Sequence, residues 1–503
     1  MKRPLENRIW FDYDGQPAGQ LGPLYAGTTN KPSHVGRVLD DETTQLHTYT
    51  YNDFGNVTSY TDSVGRTTSY VYDTNGIDLL EIHRKTAQGS DLLARNTYNS
   101  QHQPLTTTDA AGQTTTYTYN PRGQLLTVTD PLNEITTYTY DPNGYLMSVA
   151  APLPGQTVSY THDAVGRIRT FTNDSGYTLT FDYDNLDGRT RITYPDSTFV
   201  GHRYTALDIT STIDRASRLT QVAYDSFRHP VTVTDPNGQT TTYAWCKCGD
   251  IRSVTDHLGR TTLWNHDLQG RVQSKQYPDG SEITYRYEDS TSRLRQRIEE
   301  QLQFTTYAYN LDDTLAQIAY TNPANPAQPT PPVLYTYDPD YPRITSVAND
   351  VKTTYTYTYV PPKVLGAGQL QSVGTSGGGA LTYTYDELGR RIKTDANGAP
   401  STIQYDAAGR IDTKVNPLGT FVTKYDGASR RPVSRTGPVS VQSTYAPAQQ
   451  DFDLTNIANL TSNPSSVISQ FDYGNDTPTG RITRWQQTSP LPPDKPDRLD
   501  FQY

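Results

Sequence analysis

The chain is poor in the residues that build ordinary hydrophobic cores. It contains two Cys and two Met among 503 residues. With Gly counted and Tyr left out, its apolar share is about 33%, against roughly 45–50% in globular domains. Aliphatic cores for the roughly three or four domains that this length suggests are therefore excluded. Two Cys also cannot form a disulfide framework.

Other signals are missing as well. No stretch approaches the ~18 apolar residues of a membrane helix, so we expect no membrane span. Glu6 and Asp12 lie where a secretory signal would be apolar, and we expect no Sec-type signal in this chain. The net charge of −10 argues against a nucleic-acid partner, which would need a concentrated basic face.

Tyr and Thr are abundant instead. The sequence has 39 Tyr and 75 Thr, and Phe and Trp add 11 and 4 further aromatics. The small net charge per residue and this aromatic content exclude disorder, although the hydrophobicity is low. Both residue types suit a pleated, half-buried surface. The composition therefore predicts a β-protein.

One aromatic position recurs along the chain, mostly every 20 to 22 residues. It closes a Y-x-Y unit or a variant of it, and it is occupied by Tyr51, Tyr72, Tyr98, Tyr119, Tyr140, His162, Tyr183, Tyr204, Tyr224, Trp245, His266, Tyr287, Tyr309, Tyr337, Tyr359, Tyr385, Tyr405, Tyr425, Tyr445, Tyr473 and Tyr503. Such a period identifies a repeat protein.

Each repeat carries two turn signals. The first turn follows the aromatic, as in YDELGR at 385–390, and the second turn comes about eleven residues later, as in TDPNGQ at 234–239. Asp, Asn and Pro open such turns, and Gly supplies the positive φ that ends them. About six residues with period-2 alternation separate the turns, which predicts two antiparallel strands per repeat. Only residues 293–303 leave a short helix or a longer strand open.

The predicted domain organisation is a lead-in segment at 1–50, with an atypical first repeat as the other interpretation, and a continuous repeat region at 51–503. Loop insertions are expected near 321–333 and 360–380, at the edge of the strip. A β-solenoid, a sandwich and a propeller are the alternative architectures. A propeller needs about four strands per blade of fixed length, and the insertions break such a length.

The signature Y-D-x-x-G-R followed by an aliphatic residue resembles the RHS or YD repeat. It occurs as YDELGRRI at 385–392 and YDAAGRI at 405–411, and TTYTYDPNGYL at 136–146 matches its longer form. About twenty units in register cover at least 51–473. Members include bacterial RHS proteins, shell components of insecticidal toxin complexes, and teneurins.

The resemblance implies a fold and a role. Members wind a long antiparallel strip into a hollow barrel-like shell, and in bacterial members the shell typically encloses a C-terminal toxin. We therefore expect an all-β YD-repeat strip that forms an open part of such a shell. At ~4.8 Å per strand the strip would be about 200 Å long, enough for one or two turns of a band.

The end of the shell is expected to be absent. Toxin-releasing members finish with a P-x-x-x-x-D-P-x-G-L core. The stretches at 141–145 and 235–239 approach D-P-x-G-L but end in Tyr145 and Gln239, and both fall in repeat turns. The chain stops at Tyr503, on an expected repeat aromatic, which indicates a partial chain without the core or a toxin domain.

Cys246 and Cys248 form a C-x-C at a first-turn position. A structural zinc site needs two further ligands, and His257 and His266 follow in the next turns. A metal site, a strained local disulfide or a redox role, and plain turn residues all remain open, with turn residues preferred.

Two other motifs are interpreted as turns or linkers. Residues 374–378 read G-x-S-x-G, but a nucleophile elbow needs a strand before it and a helix after it, and this stretch lies in a Gly-rich insertion. Asp182, Asp184 and Asp187 resemble a calcium loop whose spacing is shifted and whose bidentate Glu is missing.

The repeated acidic and basic residues, such as Asp386 with Arg390 and Asp406 with Arg410, recur in too many units for catalysis. We expect them to satisfy turns and to pair neighbouring units, and we expect His162 and His266 to fill the aromatic position. No catalytic, cofactor-binding or metal-binding residue is predicted, and no enzyme activity or cofactor.

The sequence thus favours a non-enzymatic structural protein of a secreted or cell-surface polymorphic toxin system. Its β-shell would encapsulate or present a C-terminal toxin or effector polypeptide, with further shell repeats as the other expected partner. The alternative is a cell-surface adhesion or carbohydrate-binding module, in which exposed aromatic ladders stack on glycans. The localisation rests on the resemblance alone.

Overall fold

The computed structural model describes residues 4–16, 28–299, 303–321, 330–349, 353–461, 466–476, 481–488 and 498–500. This part of the chain is all-β, as predicted, with 43 strands and one short 3-10 turn at Ala448–Gln450. The strands belong to one antiparallel sheet that does not close into a barrel. Among the described residues, no helix has the length and the apolar character needed to cross a bilayer.

The first half of the chain contributes twenty-two strands. In chain order they are β1 Trp10–Tyr13, β2 Pro32–Val38, β3 Thr44–Tyr51, β4 Val57–Thr61, β5 Thr67–Tyr72, β6 Leu79–Thr86, β7 Gly89–Tyr98, β8 Pro104–Asp109, β9 Thr114–Tyr119, β10 Leu125–Thr129, β11 Ile135–Tyr140, β12 Leu146–Ala150, β13 Thr157–His162, β14 Ile168–Thr172, β15 Thr178–Tyr183, β16 Arg189–Thr193, β17 Phe199–Thr205, β18 Asp208–Ile213, β19 Leu219–Tyr224, β20 Pro230–Thr234, β21 Thr240–Trp245 and β22 Ile251–Thr255.

The remaining described strands continue the same pattern. They are β23 Thr261–His266, β24 Val272–Gln276, β25 Glu282–Tyr287, β26 Leu294–Ile298, β27 Phe304–Tyr309, β28 Leu315–Thr321, β29 Val333–Tyr337, β30 Ile344–Ala348, β31 Thr354–Tyr359, β32 Leu370–Thr375, β33 Ala380–Tyr385, β34 Arg391–Ala396, β35 Ala399–Tyr405, β36 Ile411–Asn416, β37 Gly419–Tyr425, β38 Pro432–Thr436, β39 Val439–Tyr445, β40 Leu454–Thr461, β41 Val467–Asp476, β42 Arg481–Thr488 and β43 Arg498–Asp500.

The ambiguous segment at 293–303 contains strand β26, so the strand alternative holds where the segment is described; residues 300–302 lie outside the described part. Most of the Pro-rich stretch, 322–329, also lies outside it. In the second expected insertion, residues 360–369 form a long first turn, and strand β32 follows it.

Within each unit, consecutive strands pair antiparallel, as the two-turn pattern predicts, and a one-residue irregularity recurs in the ladders. The register shifts immediately before the repeat aromatic, for example between Thr139 and Tyr140 and between Thr358 and Tyr359. A bulge at this point re-aims the following side chain. The aromatic therefore closes its strand in a fixed orientation at the entrance to the first turn.

The chain divides into two units. Unit 1 comprises Met1–Thr115 and Thr242–Arg390, and unit 2 comprises Thr116–Thr241 and Arg391–Tyr503. Each unit thus combines an earlier and a later stretch of the strip.

The sheet has almost no conventional core. Only five hydrophobic side chains are buried among the described residues: Leu39, Val360, Tyr385, Ala446 and Ala458. The accessible surface is 29542 Å², against about 18,000 Å² for a compact monomer of this mass. In β9 the Thr residues at 116 and 118 are exposed while the Tyr residues at 117 and 119 are half-buried. The aromatic face therefore supplies most of the burial within a single layer.

Candidate functional site

The first turn closes around its Asp. In YDELGR, the backbone N–H groups of Leu388 and Arg390 donate to Asp386 Oδ1 at 3.0 and 2.8 Å. The Arg390 side chain donates from Nε to Asp386 Oδ2 at 2.7 Å, and Gly389 has the positive φ of 70° that the turn requires. The carboxylate and the guanidinium are therefore both used within the turn, as expected from their recurrence.

The same contacts set the charge state of the turn. Desolvation of the Asp267 carboxylate is outweighed by hydrogen bonds from the Arg271 side chain and from backbone N–H groups, so the pKa of Asp267 is lowered. Asn52, Asn99 and Asn120 close other first turns with the same pair of backbone hydrogen bonds. Closing the turn therefore needs only the Oδ1 acceptor, which Asp and Asn both supply. The negative charge of the Asp serves to bind the Arg side chain of the same turn.

The Arg of one first turn also reaches the next repeat. Arg271 lies over the ring of Tyr287 at 4.5 Å, and Arg410 lies over Tyr425 at 4.4 Å. Arg410 Nη1 also donates to the carbonyl of Gly427 at 3.0 Å. Stacking of a cation on a ring adds attraction to these hydrogen bonds. Arg271 and Arg410 therefore each tie their own turn to the repeat that follows.

The repeat aromatic is anchored by its hydroxyl. Tyr140 donates to the carbonyl of Leu125 at 2.9 Å, and Tyr287 donates to Val272 at 2.9 Å. Each acceptor lies at the start of the preceding strand. The Tyr ring thus packs in the sheet while its hydroxyl satisfies a backbone carbonyl.

The Thr excess also has a position. Thr hydroxyls face each other at the second turns, as in Thr61 with Thr67 at 2.9 Å and Thr234 with Thr240 at 3.0 Å. Cross-strand Thr pairs of this kind stabilise antiparallel sheets.

Contacts between distant parts of the strip form a row in unit 1, which we call the unit 1 seam. It joins the second turns at 39–43, 62–66 and 87–88 to the first turns at 288–293, 310–314 and 338–343, in the same order. Asp40 accepts from the backbone N–H of Ser290 at 2.7 Å, and Ser63 donates to the carbonyl of Leu311 at 2.6 Å. Tyr341 donates to Asp91 at 2.6 Å, beside the third pair of turns.

The unit 1 seam is polar and well buried. Arg66 bonds Asp62 within its own turn at 2.6 Å and also pairs with Asp312 across the seam; the Arg66 and Asp312 side chains are 4% and 8% exposed. Thr291 is fully buried, and its hydroxyl donates to the Glu288 carboxylate at 2.6 Å. Although desolvation opposes it, hydrogen bonding by Thr314 and Arg66 lowers the pKa of Asp312. Hydrogen-bonded polar groups thus occupy the place of a core here.

Unit 2 contains a corresponding unit 2 seam. It joins the second turns at 173–177 and 214–218 to the first turns at 426–431 and 446–453. Asp451 pairs with Arg215 and accepts a hydrogen bond from the Tyr177 hydroxyl. Phe452 lies 5.9 Å from Tyr177, ring to ring, and Arg431 stacks on Phe452 at 3.7 Å. Desolvation and the Asp451 carboxylate together raise the pKa of Tyr177.

Cys246 and Cys248 form a disulfide within a first turn. The sulfur of Cys246 takes the place of the turn Asp, since the N–H groups of Cys248 and Asp250 point to it at 3.1 and 3.3 Å. His266 brings a ring nitrogen within 4.8 Å of both sulfurs. His257 lies in the following second turn, at the other end of the five-residue strand β22. The length of this strand separates His257 from the Cys turn by about 16 Å.

The other motifs are turns. Ser376 lies in the hairpin between β32 and β33, where Gly378 donates to the carbonyl of Thr375 at 2.9 Å, so a strand and not a helix follows the G-x-S-x-G. Asp184 accepts from Leu186 and Gly188 N–H groups, both at 2.8 Å. Asp182 pairs with Arg169, and Asp187 pairs with Arg167. None of the three carboxylates is without a partner.

The seam residues are missed by sequence reasoning. Their contacts join residues between 236 and 274 positions apart, and Arg66 has the same local D-x-x-G-R motif as other repeat Arg residues such as Arg260. The disulfide turn does carry a signal: Cys replaces Asp at 246, and His replaces Tyr one repeat later at 266.

Two family models match the chain. The RHS Repeat model matches residues 98–135, 119–153 and 366–402, and the Teneurin YD-shell model matches residues 151–325. No curated protein matches this chain.

Several solved structures share the fold. A crystal structure of TcdB2-TccC3-TEV aligns with a TM-score of 0.61 and 12% identity over 94% of this chain. A TcdB2-TccC3 crystal structure has a TM-score of 0.56 and 13% identity over 90%. The Photorhabdus luminescens Tc holotoxin pore has a TM-score of 0.56 and 13% identity over 94%. This chain spans 30%, 28% and 30% of those chains, respectively.

Proposed function

Because the chain belongs to the RHS/YD-repeat family, we propose that it is a non-enzymatic segment of a toxin-complex-like β-shell that encloses or presents an effector polypeptide. The observation that carries the proposal is the use of the repeat signature. Asp, Arg and Tyr are engaged in closing turns and joining neighbouring repeats. The most frequent reactive groups are thus committed to building a sheet.

The two seams support the same role. Within each unit, second turns of the earlier stretch bind first turns of the later stretch. The two stretches are thus joined side by side through their turns. A wall that encloses another polypeptide needs neighbouring stretches of sheet to be joined in this way. The exposed Thr face and the half-buried aromatic face give that wall two chemically different sides.

A secreted or cell-surface location is part of the proposal. Family membership favours it, and so does the disulfide between Cys246 and Cys248, because disulfides persist in oxidising compartments.

Enclosure is tested by protease protection. An unstructured, epitope-tagged polypeptide is fused after Tyr503, and its half-life under proteinase K is compared with that of the free polypeptide. Protection should be lost in Arg66→Ala, which opens the unit 1 seam, and kept in the exposed control Arg260→Ala. Equal half-lives for the fused and the free polypeptide would contradict enclosure. Electron micrographs showing a compact globule or rod would contradict the shell itself.

A second candidate, glycan binding, is favoured by one cleft in unit 2. Its volume is about 550 Å³, and its lining includes Phe421, Tyr425, Lys414 and Arg435. An aromatic ring flanked by cations suits a sugar with an acidic substituent. Binding to anionic glycans on an array that is lost in Phe421→Ala would support it, and an array without hits would remove it.

A further inference from the structure

One repeat departs from the signature at three linked positions. In a regular repeat, Asp267 binds Arg271 at 2.6 Å, and Arg271 stacks on Tyr287. One repeat earlier, the positions corresponding to Asp267, Arg271 and Tyr287 hold Cys246, Asp250 and His266. Cys248 stands in the same turn, at the position that corresponds to Gln269. The turn and the next repeat's aromatic position thus keep their places in the repeat. The side chains that meet there are Cys and His instead of an Asp–Arg pair and a Tyr.

This replacement gathers metal ligands. One ligand atom from each of Cys246, Cys248 and His266 lies within 4.8 Å of the other two. The Cα atoms of the two Cys are 5.2 Å apart, and Cys248 is exposed while Cys246 and His266 are half-buried. Tetrahedral zinc, with bonds of about 2.3 Å to sulfur and about 2.0 Å to nitrogen, holds such ligands roughly 3.6–3.8 Å apart. Small side-chain rotations therefore suffice.

We propose that this turn is a redox-gated zinc site. In the oxidised form the disulfide occupies both sulfurs. A dithiol reductant gives two electrons and two protons to the bond, becoming a cyclic disulfide itself and leaving two thiols. Zn²⁺ then displaces the two thiol protons and binds two thiolates and the neutral His266 imidazole, with water in the fourth position. The site is closed in an oxidising compartment and opens in a reducing one.

The test uses the full chain. The oxidised and the dithiol-reduced protein are titrated anaerobically with Zn²⁺ against a chromophoric chelator, and Co²⁺ is used to detect thiolate-to-metal charge transfer. We expect one Zn²⁺ per reduced chain and none per oxidised chain. Cys246→Ser and Cys248→Ser should each abolish binding. Alkylation followed by mass spectrometry should modify two Cys only after reduction.

His266→Tyr separates the site from a bare thiol pair. It restores the aromatic found in most repeats, so the fold should persist, and circular dichroism checks this. Loss of one of three protein ligands should weaken Zn²⁺ binding at least about tenfold, because even outer-shell changes cost that much. The matched control is His162→Tyr, the same change in a repeat without Cys, where His162 stacks on Tyr145. Unchanged affinity in His266→Tyr, or no zinc on the reduced chain, would overturn the proposal.

Discussion

The seams of the two units follow one rule with different chemistry. In both units, second turns of an earlier stretch meet first turns of a later one. Unit 1 distributes the contact over several buried polar groups, with Arg66 and Asp312 at 4% and 8% exposure. Unit 2 concentrates it on Asp451, which binds Arg215 and Tyr177, beside the ring of Phe452.

The difference shows what the strip requires of its turns. The backbone of most turns is held by an Asp or Asn of the same turn, as by Asp386 and Asn120, so the remaining positions of such a turn are free to vary. Either a buried ion pair or an acid surrounded by cations and rings can therefore join two stretches. Since a sheet without a core has little other long-range burial, we expect each seam to dominate the stability of its unit.

The largest effect is expected at the unit 1 seam. Arg66→Ala leaves the carboxylates of Asp62 and Asp312 buried without their cation, which should cost about 3–5 kcal/mol. Hydrogen exchange read by mass spectrometry should show the loss at both contacting turns, 62–66 and 310–314. Arg260→Ala removes the same intraturn pair from an Arg that is 62% exposed, and should cost at most about 1 kcal/mol. Equal losses of stability in Arg66→Ala and Arg260→Ala would show that the seam contact of Arg66 adds no stability beyond that of the pair within the turn.

The unit 2 seam should be next. Asp451→Ala strands the Tyr177 hydroxyl and removes one of the two carboxylates that bind Arg215, for a cost of about 2–4 kcal/mol. The loss of exchange protection should stay within unit 2. Asp187→Ala is the control, because that carboxylate is 78% exposed although it too binds an Arg. Loss of protection in unit 1 as well would show that the two seams are not independent.

The sequence predicts the strands and turns of each repeat well, but it does not predict the contacts of the two seams. The aromatic marks from Tyr51 to Tyr445 fall at or within one residue of strand ends, because a Gly or Asp turn every ten residues fixes strand length locally. Arg66 and Arg260 share one motif, D-x-x-G-R, yet one is buried and one is exposed. Their burial depends on whether a turn distant in the sequence packs against them, and no local sequence pattern encodes this packing. The disulfide turn is visible in the sequence as Cys246 and Cys248, but the approach of His266 follows only from the bulge that aims the repeat aromatic.

Within a stretch, the turn Asp should matter equally in both units. Asp267→Ala in unit 1 and Asp406→Ala in unit 2 each remove two backbone hydrogen bonds and an Arg pair, at about 1–3 kcal/mol. Asp267→Asn and Asp406→Asn should recover most of the loss, because Asn120 closes the same kind of turn. Urea unfolding would measure both. Asn variants as unstable as the Ala variants would show that charge, and not turn closure, is the role of the Asp.

The smallest effect isolates the tyrosine hydroxyl from its ring. Tyr287→Phe in unit 1 and Tyr224→Phe in unit 2 keep the packed ring and remove the bond to the carbonyls of Val272 and Ile209. Each should cost about 0.5–1.5 kcal/mol in urea unfolding. The cost should be the same in the two units, because this contact lies within one stretch of strip and involves no seam. A clear difference between Tyr287→Phe and Tyr224→Phe would mean that the seams reach into the strip and that the repeats are not independent of the stretch that docks against them.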